Sequence, residues 1–158
     1  MSSGLAERLL EELARRGASL ATAESCTGGR IAAALTAVPG SSRAFFGAIV
    51  AYSNQVKIDL LGVSPRTIEE HGAVSEQCAR EMALGARGRF RSDYAVAVTG
   101  IAGPDGGSAD KPVGTVWFAW ASPENVGAEL RLLAGDRATI QQQAAEHALE
   151  GLWRELSL

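Results

Sequence analysis

The run Ala23-Glu24-Ser25-Cys26-Thr27-Gly28-Gly29-Arg30 gathers the side chains best suited to chemistry: two hydroxyls, a thiol and a pair of glycines. It follows a strand-like segment, Ser19 to Ala23, and opens an Ala-rich helix, Arg30 to Ala37. A strand-to-helix turn sits at the carboxyl edge of a strand, where open α/β sheets place their ligands. It also leaves the first helical N–H groups without intrahelical acceptors, facing an anion or a developing oxyanion. Gly28 and Gly29 carry no Cβ, so a ligand can approach that backbone. Ser and Thr at such a turn also act as plain helix caps. The turn alone therefore assigns no reaction.

A serine nucleophile needs a base. The chain has 2 histidines, His71 and His147, and neither has an acidic residue placed to orient it as a triad requires. Lys57 offers an alternative. With Asn54 read as the cap of a short helix, Lys57 falls in the first turn, where the helix dipole disfavours a cation. Its neighbours Val56, Ile58 and Leu60 add desolvation, which also lowers a lysine's pKa. Both effects favour the neutral amine that a general base must be. Tyr52, at the end of the preceding strand, is placed to hold or relay a proton. The competing description makes Lys57 a solvated helix lysine and Tyr52 a strand-end aromatic. A third turn, Thr99-Gly100-Ile101-Ala102-Gly103, leads into Pro104-Asp105-Gly106-Gly107. It suits close approach of a phosphate or ribose to backbone, although it is neither a Rossmann fingerprint nor a Walker A sequence. Arg137, after a capping Asp136, is a candidate anion clamp, and a solvated first-turn residue otherwise.

The elements that must position these residues can be read from periodicity. Leu5, Leu9, Leu10 and Leu13 give a surface helix from Ser3 to Arg16, stopped by Gly17. Phe45 to Tyr52 is apolar throughout, as a strand covered on both faces would be. Pro65 opens a helix, and Ser75-Glu76 caps a long one reaching Arg91, with Gly85 and Gly88 as weak points. Asp93 to Thr99 is a strand. Thr115 to Trp120 and Ala128 to Leu133 form an antiparallel pair around Pro123-Glu124-Asn125. A final helix keeps its apolar period to Trp153. Helices alternating with strands and then a hairpin predict an α/β fold, three layers (α/β/α) around a mixed sheet of roughly five strands. If the first strands are parallel, the Ser25, Tyr52 and Thr99 turns share one edge.

A single domain over residues 1–158 is expected for this length. The net charge of −3 argues against a nucleic-acid partner. No apolar run approaches the ~20 residues of a membrane span, and the amino terminus does not read as a signal peptide. The 2 cysteines, Cys26 and Cys78, make no disulfide framework, and no cluster of ligands suggests a metal. A cytoplasmic protein is expected.

Seven segments taken in order carry a resemblance. They are Ala23 to Gly29, Tyr52-Ser53-Asn54-Gln55-Val56-Lys57, Leu61-Gly62-Val63, His71 to Ser75, Thr99 to Gly107, Lys111-Pro112-Val113-Gly114-Thr115-Val116-Trp117, and Gly135-Asp136-Arg137. Together they resemble the CinA C-terminal domain family across nearly the whole chain. The resemblance implies hydrolysis of nicotinamide mononucleotide to nicotinic acid mononucleotide and ammonia, a step of pyridine-nucleotide salvage, without cofactor or metal. It implies a Ser-Lys-Tyr constellation landing on Ser25, Lys57 and Tyr52. It further implies that Thr27, Gly28 and Gly29, then Thr99, Gly100, Ala102 and Gly103, and finally Arg137, bind the substrate. The expected partners are that mononucleotide and further copies of the chain. A basic residue often found about a turn after Gly-Asp-Arg is replaced here by Gln141, Gln142 and Gln143, which leaves fewer charges for the phosphate. The alternative is a non-catalytic, nucleotide-binding regulatory module built from the same loops.

Overall fold

The computed structural model describes residues 3–157. The chain runs α1 (Ser3–Arg16), β1 (Leu20–Glu24), α2 (Arg30–Thr36), a 3-10 turn (Ser41–Arg43) and β2 (Phe45–Val50). It continues through α3 (Asn54–Leu61), α4 (Pro65–His71), α5 (Glu76–Phe90), β3 (Tyr94–Gly100), β4 (Thr115–Ala121), β5 (Val126–Leu132) and α6 (Arg137–Ser157). The five strands form one sheet in the order β2-β1-β3-β4-β5. β1 is parallel to both β2 and β3, whereas β4 is antiparallel to β3 and β5.

Alternation along β3 builds the two cores. Val96 and Val98 face a layer made by α1, α2 and α6, where Leu9, Leu13, Ile31, Leu35, Leu149 and Leu152 are buried. Ala95 and Ala97 face α5, against Cys78, Met82 and Ala83. Successive strand residues point to opposite faces, so one strand feeds both layers. The small side chains on the α5 side keep that helix close to the sheet. Gly85, a weak point in the sequence pattern, sits at the closest approach: a Cβ there would lie 1.8 Å from the carbonyl oxygen of Leu61. That glycine lets α5 pack against the end of α3. A Cβ on Gly88 would meet open space, and packing gives no reason for a glycine there.

Three expectations need correction. β2 is not covered on both faces; it is an edge strand, with Phe46 and Val50 about half exposed at 53% and 47%. The apolar run is real, but its place at the sheet margin follows from strand order. The cap of α3 is Ser53 rather than Asn54: the Ser53 hydroxyl accepts from the Val56 amide at 3.2 Å. Lys57 therefore stands one position deeper in the helix than Asn54-capping implies. α6 is longer than expected and reaches Ser157, while Asp136 does cap it, accepting from the Thr139 amide at 2.9 Å. Among the described residues no helix is long and apolar enough to cross a membrane.

The crossover after β1 uses α2 on one face, and the crossover from β2 to β3 uses α5 on the other. Crossovers that leave in opposite directions open a crevice at the carboxyl ends of the strands between them. The carboxyl ends of β1, β2 and β3 do share one edge, as their parallel pairing requires.

Candidate active site

A cleft of about 280 Å³ opens at this edge. Ser25 and Cys26 line it from the end of β1, Tyr52, Asn54 and Lys57 from the β2–α3 corner, and Ala73 and Val74 from the turn before α5. Thr99, Gly100 and Ala102 close it at the end of β3, and Arg137 enters from the start of α6. Among the described residues no cluster of His, Cys, Asp and Glu could hold a metal.

Ser25 and Lys57, both buried, are paired in this cleft. The Ser25 amide donates to Val98 O at 3.0 Å, which extends the β1–β3 pairing one residue past the strand and fixes the serine at the sheet edge. Lys57 is 2% exposed, yet its Nζ donates to Ser25 Oγ at 3.1 Å and to the Tyr52 carbonyl at 3.1 Å. No carboxylate pairs with it among the described residues. Burial pushes its pKa down from the usual 10.5, because a charge in a low-dielectric pocket loses its water. The cause is desolvation; the helix dipole, invoked from an Asn54 cap, is not needed.

Cys26 lines the same cleft beside Ser25. Its thiol is buried, and burial pushes its pKa up to about 12. A thiol that stays protonated is a poor nucleophile. A Cβ on Gly100 would lie 3.1 Å from that sulfur, so the glycine leaves room for the thiol beside β3. The Cys26 carbonyl accepts from Gln141 Nε2 at 3.0 Å. One of the glutamines found where a further cation was expected thus ties α6 to the serine turn.

The helix N–H groups do not face the cleft as expected. Thr27 is fully buried, and none of Thr27, Gly28 and Gly29 lines the cleft. The Gly28 amide donates to Ser25 O at 3.1 Å, and those of Gly29, Ile31 and Ala32 donate to the Glu24 carboxylate at 2.9–3.1 Å. A protein carboxylate occupies the place reserved for an anionic ligand. Of the turn's other amides, that of Cys26 lies against its own thiol. Glu24 is the residue that reading the sequence overlooked. Its signal was available: a carboxylate at a strand end, ahead of a helix whose N-cap is a glycine without a side chain.

Tyr52 is brought near Lys57 only through its backbone. Its side chain is 63% exposed, and its hydroxyl accepts from Arg137 Nη2 at 3.0 Å. Among the described residues that hydroxyl has no hydrogen bond to Ser25 or Lys57, so the side chain expected to relay a proton is turned toward Arg137 in this structure. Arg137 Nη1 donates to the Gly103 carbonyl at 2.8 Å. Gly103 accordingly supports the arginine from behind and does not line the cleft. Thr99 Oγ1 donates to the Ala73 carbonyl at 3.0 Å, fastening the turn before α5 to the end of β3. The histidines stay apart: His147 Nε2 lies 2.8 Å from Glu129 Oε1, and the His71 carbonyl accepts from Lys111 Nζ at 2.7 Å.

Residues 2–156 match the model of a protein family described as CinA C-terminal domain. Nicotinamide-nucleotide amidohydrolase PncC of Escherichia coli strain K12 is 49% identical over 152 residues, 96% of this chain and 92% of that protein. A CinA-like protein of Gemmatimonas aurantiaca is 51% identical over 150 residues, but this chain spans only 35% of that protein. Among solved structures, competence/damage inducible protein CihA from Agrobacterium tumefaciens superposes with a TM-score of 0.94 at 45% identity, covering 99% of this chain and 95% of that one. Competence damage-inducible protein A from Klebsiella pneumoniae gives 0.95 at 39% identity, covering 98% and 96%.

Proposed function

The chain belongs to the CinA C-terminal domain family, and on that premise we propose that it hydrolyses the carboxamide of nicotinamide mononucleotide, giving nicotinic acid mononucleotide and ammonia. The similarity to the Escherichia coli amidohydrolase over nearly the full length of both chains supports the substrate. The observation that carries the chemistry is the buried Lys57 amine, without a carboxylate partner among the described residues, 3.1 Å from the Ser25 hydroxyl. A neutral amine there accepts the hydroxyl proton as Oγ attacks the carboxamide carbon.

The first step forms the C–Oγ bond and a tetrahedral oxyanion, with the proton on Lys57 Nζ. Cys26, which lines the cleft beside Ser25, offers its amide to that oxyanion. The lysine then returns the proton to the departing nitrogen, and ammonia leaves an ester on Ser25. Water, deprotonated by the same amine, cleaves the ester and restores the hydroxyl. Tyr52 serves this cycle through its carbonyl, which holds Nζ beside the serine. Arg137, at the open end of the cleft, is the partner for the substrate phosphate, because its planar fork matches phosphate oxygens. The acid product would re-enter pyridine-nucleotide salvage.

Incubation with nicotinamide mononucleotide should release ammonia and the carboxylic acid in equal amounts. A purified, folded chain that binds the mononucleotide but releases no ammonia would make this a binding module and refute the proposal.

A further inference from the structure

We propose that Glu24 is the positioning residue of the nucleophile turn, the buried carboxylate that sets Ser25 Oγ against Lys57 Nζ; the proposal rests on Ser25 being the nucleophile of the reaction above. Glu24 is the last residue of β1 and is completely buried. Its Oε1 accepts from Thr27 Oγ1 at 2.7 Å, the Gly29 amide at 3.1 Å and the Ile31 amide at 3.0 Å. Its Oε2 accepts from the Ala32 amide at 2.9 Å and Thr22 Oγ1 at 3.3 Å. Five donors converge on a group with roughly four lone-pair sites, so its accepting capacity is filled.

These contacts span the residue they control. Thr22 lies before Ser25 in the strand, Thr27 and Gly29 after it in the turn, and Ile31 and Ala32 in the helix. The N-cap of α2 is Gly29, in a left-handed conformation with no side-chain cap of its own. Glu24 supplies that cap from the strand and draws the helix back onto β1. The Glu24 carbonyl accepts from the Ala51 amide at 2.7 Å, and the next amide, that of Ser25, is bound by Val98. The serine backbone is thereby fixed on the β2 and β3 sides, and its helix side is fixed through the carboxylate. Filling the α2 amides from within also keeps the substrate phosphate away from the nucleophile. A phosphate seated there would bind the mononucleotide backwards, with its amide at the open end.

Glu24→Gln keeps the side-chain shape but turns one oxygen into an NH2 group, which must face either the Ala32 amide or those of Gly29 and Ile31. Two readouts test the consequence. The first is the rate at which a small fluorophosphonate labels Ser25, a reaction that forms an Oγ–P bond, expels fluoride and leaves the hydroxyl proton on Lys57. The second is the kcat and KM for nicotinamide mononucleotide, both referred to the folded fraction measured by circular dichroism. The labelling rate and kcat of folded Glu24→Gln should fall together by about 100-fold, the size attached to an ångström-scale misplacement. KM should stay within about threefold, since the substrate's own contacts remain. A folded variant with the parent's labelling rate overturns the proposal, as does a loss that merely tracks the folded fraction. Should Glu24→Gln fail to fold, Thr27→Val and Thr27→Ser replace it. The valine should slow labelling and the serine restore it, and equal rates in both would overturn the proposal. Labelling needs no nucleotide: a parent that labels at Ser25 but releases no ammonia refutes the substrate and leaves Glu24 testable. A parent that does neither overturns both.

Discussion

Replacing Lys57 with methionine separates what the amine does for catalysis from what it does to the fold. The side chain is 2% exposed and makes hydrogen bonds to Ser25 Oγ and Tyr52 O. Its loss removes a general base, a contribution of roughly 10²–10⁴ in rate, so kcat should fall by about 10³ with both substrate-binding ends intact. One contribution to stability should move the other way. Burial lowers the folded pKa below the 10.5 of an exposed lysine, so at neutral pH the unfolded chain holds a proton that the folded chain disfavours. Each pH unit by which the folded value is lowered costs the fold about 1.4 kcal/mol at pH values below it. Methionine has similar bulk and carries no such penalty. Against that gain it forfeits two hydrogen bonds of about 1 kcal/mol each. Lys57→Met should therefore compare most favourably with the parent at pH values below the lowered folded value, where the penalty is fully present. The sign fixes the trend: parent stability rises with pH between the lowered folded value and 10.5, so the variant should lose ground to the parent over that interval. Calorimetry across that range checks the thermodynamics, and ammonia release checks the chemistry. A variant that melts lower by an amount independent of pH, or one that keeps its activity, would refute the account of a buried neutral amine.

Lys57→Arg should be as inactive as Lys57→Met, because a guanidinium remains protonated; ammonia release at high enzyme concentration decides it. Ser25→Ala should abolish turnover while Cys26→Ala keeps most of it, since the Cys26 thiol is raised to about 12; the reverse order would make the thiol the nucleophile. Arg137→Ala should raise KM for the mononucleotide by at least about tenfold, as expected for a charge-assisted contact, yet cost nicotinamide riboside little; equal losses on both would assign the phosphate elsewhere. Tyr52→Phe, which removes only the hydroxyl bound to Arg137, should reproduce a mild form of that KM effect, and a collapse of kcat would return the phenol to the proton path. Gly85→Ala should lower stability by about 1–3 kcal/mol through overpacking against Leu61, measured by denaturant titration.

What can be read from the sequence is local. The turn at Ser25, the proximity in sequence of Tyr52 and Lys57, the antiparallel hairpin and the Asp136 cap all follow from rules acting over a few residues. Lys57 stands out in the sequence for a partly mistaken reason: an Asn54 cap puts weight on the helix dipole, whereas burial, a property of the whole fold, lowers its pKa. The edge position of β2 is invisible, because an apolar run does not announce whether a second strand will lie beside it. How Tyr52 sits is not legible, because a strand-end aromatic turns its carbonyl and its ring in different directions, and only tertiary packing decides which meets the amine. Glu24 is legible in principle, yet a glutamate beside a serine reads as solvent-facing until the donors around it are counted.

Gln141 and Arg137 give α6 a further significance, in the order of synthesis. Ser25 and Lys57 leave the ribosome early, whereas the amide that braces the Cys26 carbonyl and the cation lining the cleft belong to α6, made after every strand of the sheet. A nascent chain that stops before α6 carries Ser25 and Lys57 without the Gln141 brace and without Arg137. It also bares the Phe118, Leu9 and Leu13 surface that Leu149 and Leu152 would cover. In this arrangement Ser25 and Lys57 are made first, and the cleft that holds them is completed only when α6 follows.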